Sequence, residues 1–232
     1  YFLTEMKEYY DAMGNSQVMA FKQSEREHFL IGMMKVNFLK RLESSIESFE
    51  ISMDRTIQKI ERLEDRIEKF IKTKNKSDNE YIASDYEPDD TEFEEDSEEA
   101  EQWQVGKKLK FNLSDLNLTL WLEDLQKDKE ALSDLYNTAT AITPDRDAKL
   151  KDLKELIEKK ISTPLNDGNK KVVIFTAFAD TAQYLFNETK EWAQKKLGLN
   201  IALVGGSITQ TTFGKNDYAS ILTNFSPISK NR

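Results

Sequence analysis

The sequence predicts a mostly α chain with a small α/β part: a long antiparallel helical hairpin, then the first strands and helices of a parallel sheet. Three observations carry that expectation. Glycine is absent between Gly32 and Gly106, and few breakers over such a length mean long uninterrupted helix. Apolar residues from Ile31 to Phe70 recur at helical spacing, the period of a single face. After Asn169 the pattern changes to a short β-branched run, Val172-Val173-Ile174-Phe175, of the kind buried in parallel sheets. Residues 1–168 are therefore expected to be helical, with an acidic connector at about 73–112, and 169–232 to be an incomplete α/β domain.

Residues 1–25 read as a short helix with Met6, Tyr9 and Tyr10 on its apolar side, then a loop at Gly14-Asn15-Ser16. From Glu25 to Lys72 one helix carries Ile31, Met34, Phe38, Leu42, Ile46, Phe49, Met53, Ile57, Ile60, Leu63, Ile67 and Phe70 as a continuous stripe. Charges between the apolar steps after Asp54 give its second half the character of one strand of a coiled coil, which needs a partner stripe. That partner is expected after Ser114, a candidate N-cap, where Leu118, Trp121, Leu122, Leu125, Leu132, Leu135 and Tyr136 line one side. The acidic connector lets the chain turn back, so the two helices should pack antiparallel. Pro144 opens a further amphipathic helix, Asp145 to Ile161. Asp180 is placed to cap a helix running to about Leu197, with Ala182, Leu185, Thr189 and Trp192 facing inward and Gly198 as its stop. Asn200 to Val204 reads as a second strand parallel to the first, Gly205-Gly206 as a tight turn, and Asn216 or Asp217 as the start of a last helix ended by Ser226-Pro227.

Charge is unevenly distributed. The formal net charge is −9, yet between Asp78 and Glu101 there are 13 acidic residues and no Lys or Arg. The remainder holds 29 acids against 33 bases, so the overall sign reflects one segment and neither excludes nor demands nucleic acid. The run reads first as a solvated connection and second as an acidic docking or DNA-mimicking segment, since Tyr81, Tyr86, Phe93 and Trp103 lie in or near it. Without cysteine, disulfides and thiolate metal sites are excluded, and the single histidine, His28, makes an imidazole metal cluster implausible. The sequence has no secretory signal and no apolar run of membrane-spanning length, so a cytoplasmic protein is the expectation. No spacing suggests a nucleophile, an acid–base pair or a metal site, so no catalytic residue and no metal ligand is nominated. Lys35, Lys40 and Arg41 form a basic cluster read mainly as a solvated helix face. Trp103 and Trp121 are read as packing residues, and His28 as a surface residue.

Five segments carry a resemblance. The helix LKDLKELIEKKI is followed by KKVVIFTAFADTAQYL, a second helix and NIALVGGS; upstream lies GMMKVNFLKRLESSIESF, and the chain closes on ILTNFSPISKNR. In this order they resemble the opening of the second RecA-like domain of superfamily 2 helicases and Swi/Snf-type ATPases, where a strand ending in Phe-Thr is called motif IV. The resemblance covers about half of the chain and makes the hairpin between its parts an insertion. It implies a fragment of an ATP-dependent helicase or nucleic-acid translocase, with ATP and Mg²⁺ bound in the parent protein between this domain and a first RecA-like domain. The GxxxxGK[ST] phosphate loop and the arginine-rich motif of such motors are absent from these residues, and with a chain opening on Tyr1 this reads as an excised piece that does not hydrolyse ATP alone. By position, the resemblance implies that Thr176, Gly205, Gly206 and Ser207 approach a nucleic-acid backbone, expected to be duplex DNA. Glycines permit close approach, and amides with a hydroxyl bind phosphate without reading bases. Equally, Gly205-Gly206 would serve as a plain turn and Thr176 as a strand end. Val204 stands where relatives often carry His before the two glycines. The competing expectation is a non-enzymatic coiled-coil scaffold, with the helical hairpin docking a protein partner.

Overall fold

The structure is a computed structural model and describes residues 1, 3, 23–73, 81–83, 110–206 and 208–226. The described residues are predominantly helical. Their order is α1 (Gln23–Ser44), α2 (Ile46–Thr73), β1 (Tyr81–Ala83), β2 (Lys110–Asn112), α3 (Leu118–Thr140), α4 (Ala148–Ser162), α5 (Ala179–Trp192), β3 (Ala202–Val204), β4 (Thr209–Thr211) and α6 (Tyr218–Phe225). None of these helices is long and apolar enough to cross a membrane. The expected helix near Met6 to Tyr10 and the core of the acidic run, with Tyr86, Phe93 and Trp103, lie outside the described residues.

Two compact units form, and they divide the chain differently from the boundary expected at 168. The first comprises Tyr1–Lys40 and Glu50–Thr138, the second Arg41–Phe49 and Ala139–Arg232. The first unit therefore interrupts the second in sequence. Its center is the expected hairpin. Ile67, Phe70, Leu113 and Leu118 are buried together, with Leu63, Leu116, Trp121, Leu122 and Leu125 packed on them. The late residues of α2 meet the early residues of α3, and Glu64 pairs with Lys129 further along, so the helices run antiparallel. Asn117, rather than Ser114, caps α3: its Oδ1 accepts from the Leu120 N–H at 3.2 Å, while Leu113–Asp115 form a 3₁₀ turn. The connector is narrowed by β1 and β2, which pair antiparallel with Ile82 opposite Phe111. Tyr1 stacks on Trp121 at 5.8 Å and donates to Asp124 at 2.9 Å.

The long helix expected from Glu25 to Lys72 is broken at Ser45. Ladder bonds continue on both sides, from the Ser45 N–H to the Arg41 carbonyl at 3.0 Å and from the Phe49 N–H to the Ser45 carbonyl at 3.2 Å. Ser45 Oγ accepts from the Ser48 N–H at 3.1 Å, the geometry of an N-cap. A serine pair, Ser44-Ser45, whose hydroxyls compete for backbone groups is a recognized cause of such breaks. Around the break Arg41, Ser45, Ser48, Phe49, Ser52 and Met53 are buried, so of the expected stripe Phe49 and Met53 are buried there whereas Ile31 and Leu42 are exposed.

In the second unit α4 begins one turn after Pro144, capped by Asp147, whose Oδ1 accepts from the Leu150 N–H at 3.1 Å. Helix α5 begins at Ala179 with Phe178, not Asp180, in the N-cap position, and it ends through a short π-helical turn at Gly198, left-handed at φ 65°. Its buried face is Thr181, Tyr184, Phe186 and Thr189, so of the residues expected to face inward only Thr189 is fully buried. Asp217 caps α6, accepting from the Ser220 N–H at 2.7 Å.

Among the described residues the expected parallel sheet is not formed. Val172-Val173-Ile174-Phe175 are not assigned to a strand, and β3 pairs antiparallel with β4, Leu203 opposite Gln210. Strand β3 instead takes the partner next to it in sequence, closing a hairpin at Gly205-Gly206 with no crossover.

Candidate functional site

The second unit brings together two segments far apart in sequence, the end of α1 with the α1–α2 break, and the turn Thr176–Thr181 before and into α5. Arg41, read from sequence as part of a solvated basic face, is instead 1% exposed. Its Nη1 lies 3.1 Å from Asp180 Oδ2, and its guanidinium carbon sits 5.0 Å from the centroid of the Phe178 ring. The same nitrogen reaches across the helix break to Ser48, at 3.3 Å from Oγ and 3.5 Å from the carbonyl. A planar fork that can pair, stack and hydrogen-bond at once suits this position, where the compact ammonium of lysine would not. Lys35 and Lys40, the other members of the expected cluster, are exposed, as is His28.

Hydroxyls complete the arrangement. Thr181 Oγ1 lies 2.8 Å from both Ser44 Oγ and Ser45 Oγ. Ser44 Oγ also lies 3.4 Å from Thr176 Oγ1. Thr176 Oγ1 accepts from the Phe178 N–H at 3.2 Å, a local bond that shapes the turn. Lys149 of α4 donates to the Glu43 carbonyl and so holds the end of α1 from a further helix. Tyr184 of α5 donates to Asp147 Oδ2 at 2.8 Å, and its phenol is pushed well above the usual tyrosine range by burial first and by this carboxylate second.

The turn alternates. Thr176, Phe178 and Asp180 are half-buried on the side of the helix break, whereas Phe175, Ala177 and Ala179 are exposed on the other. Sequence reasoning nominated Thr176 from this set and missed Ser44, Ser45, Ser48, Phe178, Asp180 and Thr181. Arg41, Ser45, Ser48 and Ser52 share one helical face, but a polar face reads as solvated, so nothing local in the sequence signals its burial.

The remaining nominated residues sit on the β3–β4 hairpin. The Gly205 N–H donates to the Ile208 carbonyl at 2.8 Å, and the Ile208 N–H returns to Gly205 at 3.2 Å. Gly206 is exposed and a Cβ there would meet nothing within 4 Å, so the tip has room for an approaching ligand. Ser207 lies outside the described residues. No hydrogen bond among the described residues joins Thr176 to this tip. Both are attached to α5, Thr176 before its first turn and the hairpin through Gln210, which donates to Gln183 at 2.9 Å.

Two further features bear on chemistry. A shallow hollow of about 770 Å³ beside the end of α4 is lined by residues of both signs, among them Glu155, Glu158, Lys159, Lys170 and Lys196, and the Lys196–Glu158 ion pair spans it. Among the described residues no group of three or more His, Cys, Asp or Glu could hold a metal ion. No family model matches the chain, and neither a curated protein nor a solved structure matches it.

Proposed function

We propose that this chain is part of an ATP-dependent helicase or nucleic-acid translocase, contributing the opening of the second RecA-like domain together with an inserted helical hairpin. One observation carries the reading. Parts of the segments that bear the resemblance, RLESSIESF and VVIFTAFADT, meet in one compact unit through Arg41–Asp180 and the Ser44–Thr181 and Ser45–Thr181 hydroxyl pairs, while Glu50–Thr138, with residues up to Lys40, belongs to a separate unit. That is the arrangement expected of a motor-domain opening into which a hairpin has been inserted.

In this reading the outward face of the Thr176 turn and the Gly205-Gly206 tip approach the phosphates of duplex DNA. Contact there is main-chain contact, which positions a backbone without reading sequence. ATP and Mg²⁺ belong to parts of the motor not found among these residues, which therefore bind rather than hydrolyze. The test is ATP turnover by the whole parent protein with and without duplex DNA. Stimulation by DNA is the expected result; a parent with no DNA-dependent turnover sinks the motor reading and leaves the hairpin as a protein-docking scaffold.

A further inference from the structure

Resting on that reading, we infer that Arg41 is a positioning residue for the nucleic-acid-facing turn: it holds Thr176–Thr181 in one shape from behind while remaining out of reach of the nucleic acid itself. Three observations support this. Arg41 is buried at 1% exposure, so it does not meet a ligand directly. Its partners in the turn are Asp180, at 3.1 Å, and Phe178, at 5.0 Å, two of the three inward positions. The third, Thr176, is reached by Ser44 of the same helix end at 3.4 Å. Everything fixed in the turn is fixed from one side, and the other side presents Ala177 and Ala179, whose small side chains leave the main chain approachable.

A phosphate contact made by main-chain groups depends on their spacing, so loosening the turn should weaken binding without changing how many charges are neutralized. Loss of the equivalent of one hydrogen bond corresponds to a fall of about three- to tenfold in affinity. The salt dependence should be unaltered, because no cation is removed from the phosphates. If Arg41 itself touched phosphate, the salt slope would instead fall by about 1.

The experiment compares Arg41→Met, Arg41→Lys and Leu150→Ala in the full chain with the wild type. Leu150 is equally buried, in α4, and its truncation controls for lost stability alone. Binding of a mixed-sequence DNA duplex is measured over a salt series, and amide hydrogen exchange is followed at Ala177–Ala182. The expected result is faster exchange at these amides and a three- to tenfold loss of affinity at unchanged salt slope in Arg41→Met, an intermediate loss in Arg41→Lys, and wild-type affinity in Leu150→Ala. Should Arg41→Met not fold, the folded Arg41→Lys decides by the same two readouts. Wild-type exchange in the turn, a loss no greater than that of Leu150→Ala, or a reduced salt slope each overturns the inference. A wild-type chain that does not bind the duplex overturns the underlying functional reading, and does so independently of the exchange data.

Discussion

At the scale of single residues, the most consequential side chain is an arginine in a place where charge is costly. A buried ion pair gives little net stability over an apolar pair, but removing one partner strands the other. Asp180→Ala is therefore expected to destabilize the second unit by about 1–3 kcal/mol, since the Arg41 side chain is 2% exposed but keeps its bonds to Ser48. Combining it with Arg41→Met should cost less than the sum of the two single changes, because the residues act as one group. Urea unfolding of the three variants measures both terms, and strict additivity would show that the pair is not coupled. Thr181 and Ser45 illustrate the other half of the same logic. They are buried polar groups that satisfy each other at 2.8 Å, so neither carries an uncompensated desolvation cost.

At the scale of elements, α4 and α5 are joined by the Tyr184–Asp147 bond, and its pH dependence has a definite sign. The unfolded chain releases a tyrosine proton near pH 10, while the folded protein holds this one to higher pH because burial and the Asp147 carboxylate both oppose the phenolate. The contribution is intact below about pH 10 and is lost as pH rises toward the folded value. Tyr184→Phe should cost about 1 kcal/mol at neutral pH and should flatten the alkaline fall in stability relative to wild type. Unfolding free energies measured at neutral and alkaline pH test this; parallel losses in both proteins would contradict it. Elements were also where the sequence was most legible. The α2–α3 hairpin followed from Ile67, Phe70, Leu118, Trp121 and Leu125, and the Gly198 stop from the conformational freedom glycine alone provides at φ 65°. Helix α1 was misread because counting apolar residues assigns the buried face to Leu42, whereas the protein buries Arg41 and Ser45, whose partners Asp180 and Thr181 lie more than 130 residues away. No local pattern reports a partner at that distance. The same limit explains Thr176, legible only through resemblance, and Asp180, read as a cap because its chain neighbors allow one.

At the scale of the whole molecule, the run Val172–Phe175 stands out. Val173 is 55% exposed and Phe175 92%, and among the described residues no backbone–backbone hydrogen bond reaches this run. An extended apolar segment with open edges invites pairing with another chain. Replacing Val173 and Phe175 together by lysine should suppress concentration-dependent association and leave the melting temperature within a few degrees of wild type, because little buried area is lost. Sedimentation across a concentration series checks the first statement and thermal unfolding the second. Equal association of both proteins would place the sticky surface elsewhere.

The interruption of one unit by the other sets an order of assembly. Arg41 and Asp180 are separated by 139 residues, and closing a flexible loop of that length costs about 4 kcal/mol of chain entropy. A hairpin already folded between them shortens the effective loop before the ends must find each other. During synthesis the first half of the arginine's binding place leaves the ribosome long before the second, so Arg41 meets Ser48 of its own chain segment well before Asp180 emerges. The hairpin is thus a folding aid as well as an appendage, and slowing its formation should delay the closure of a unit it does not belong to.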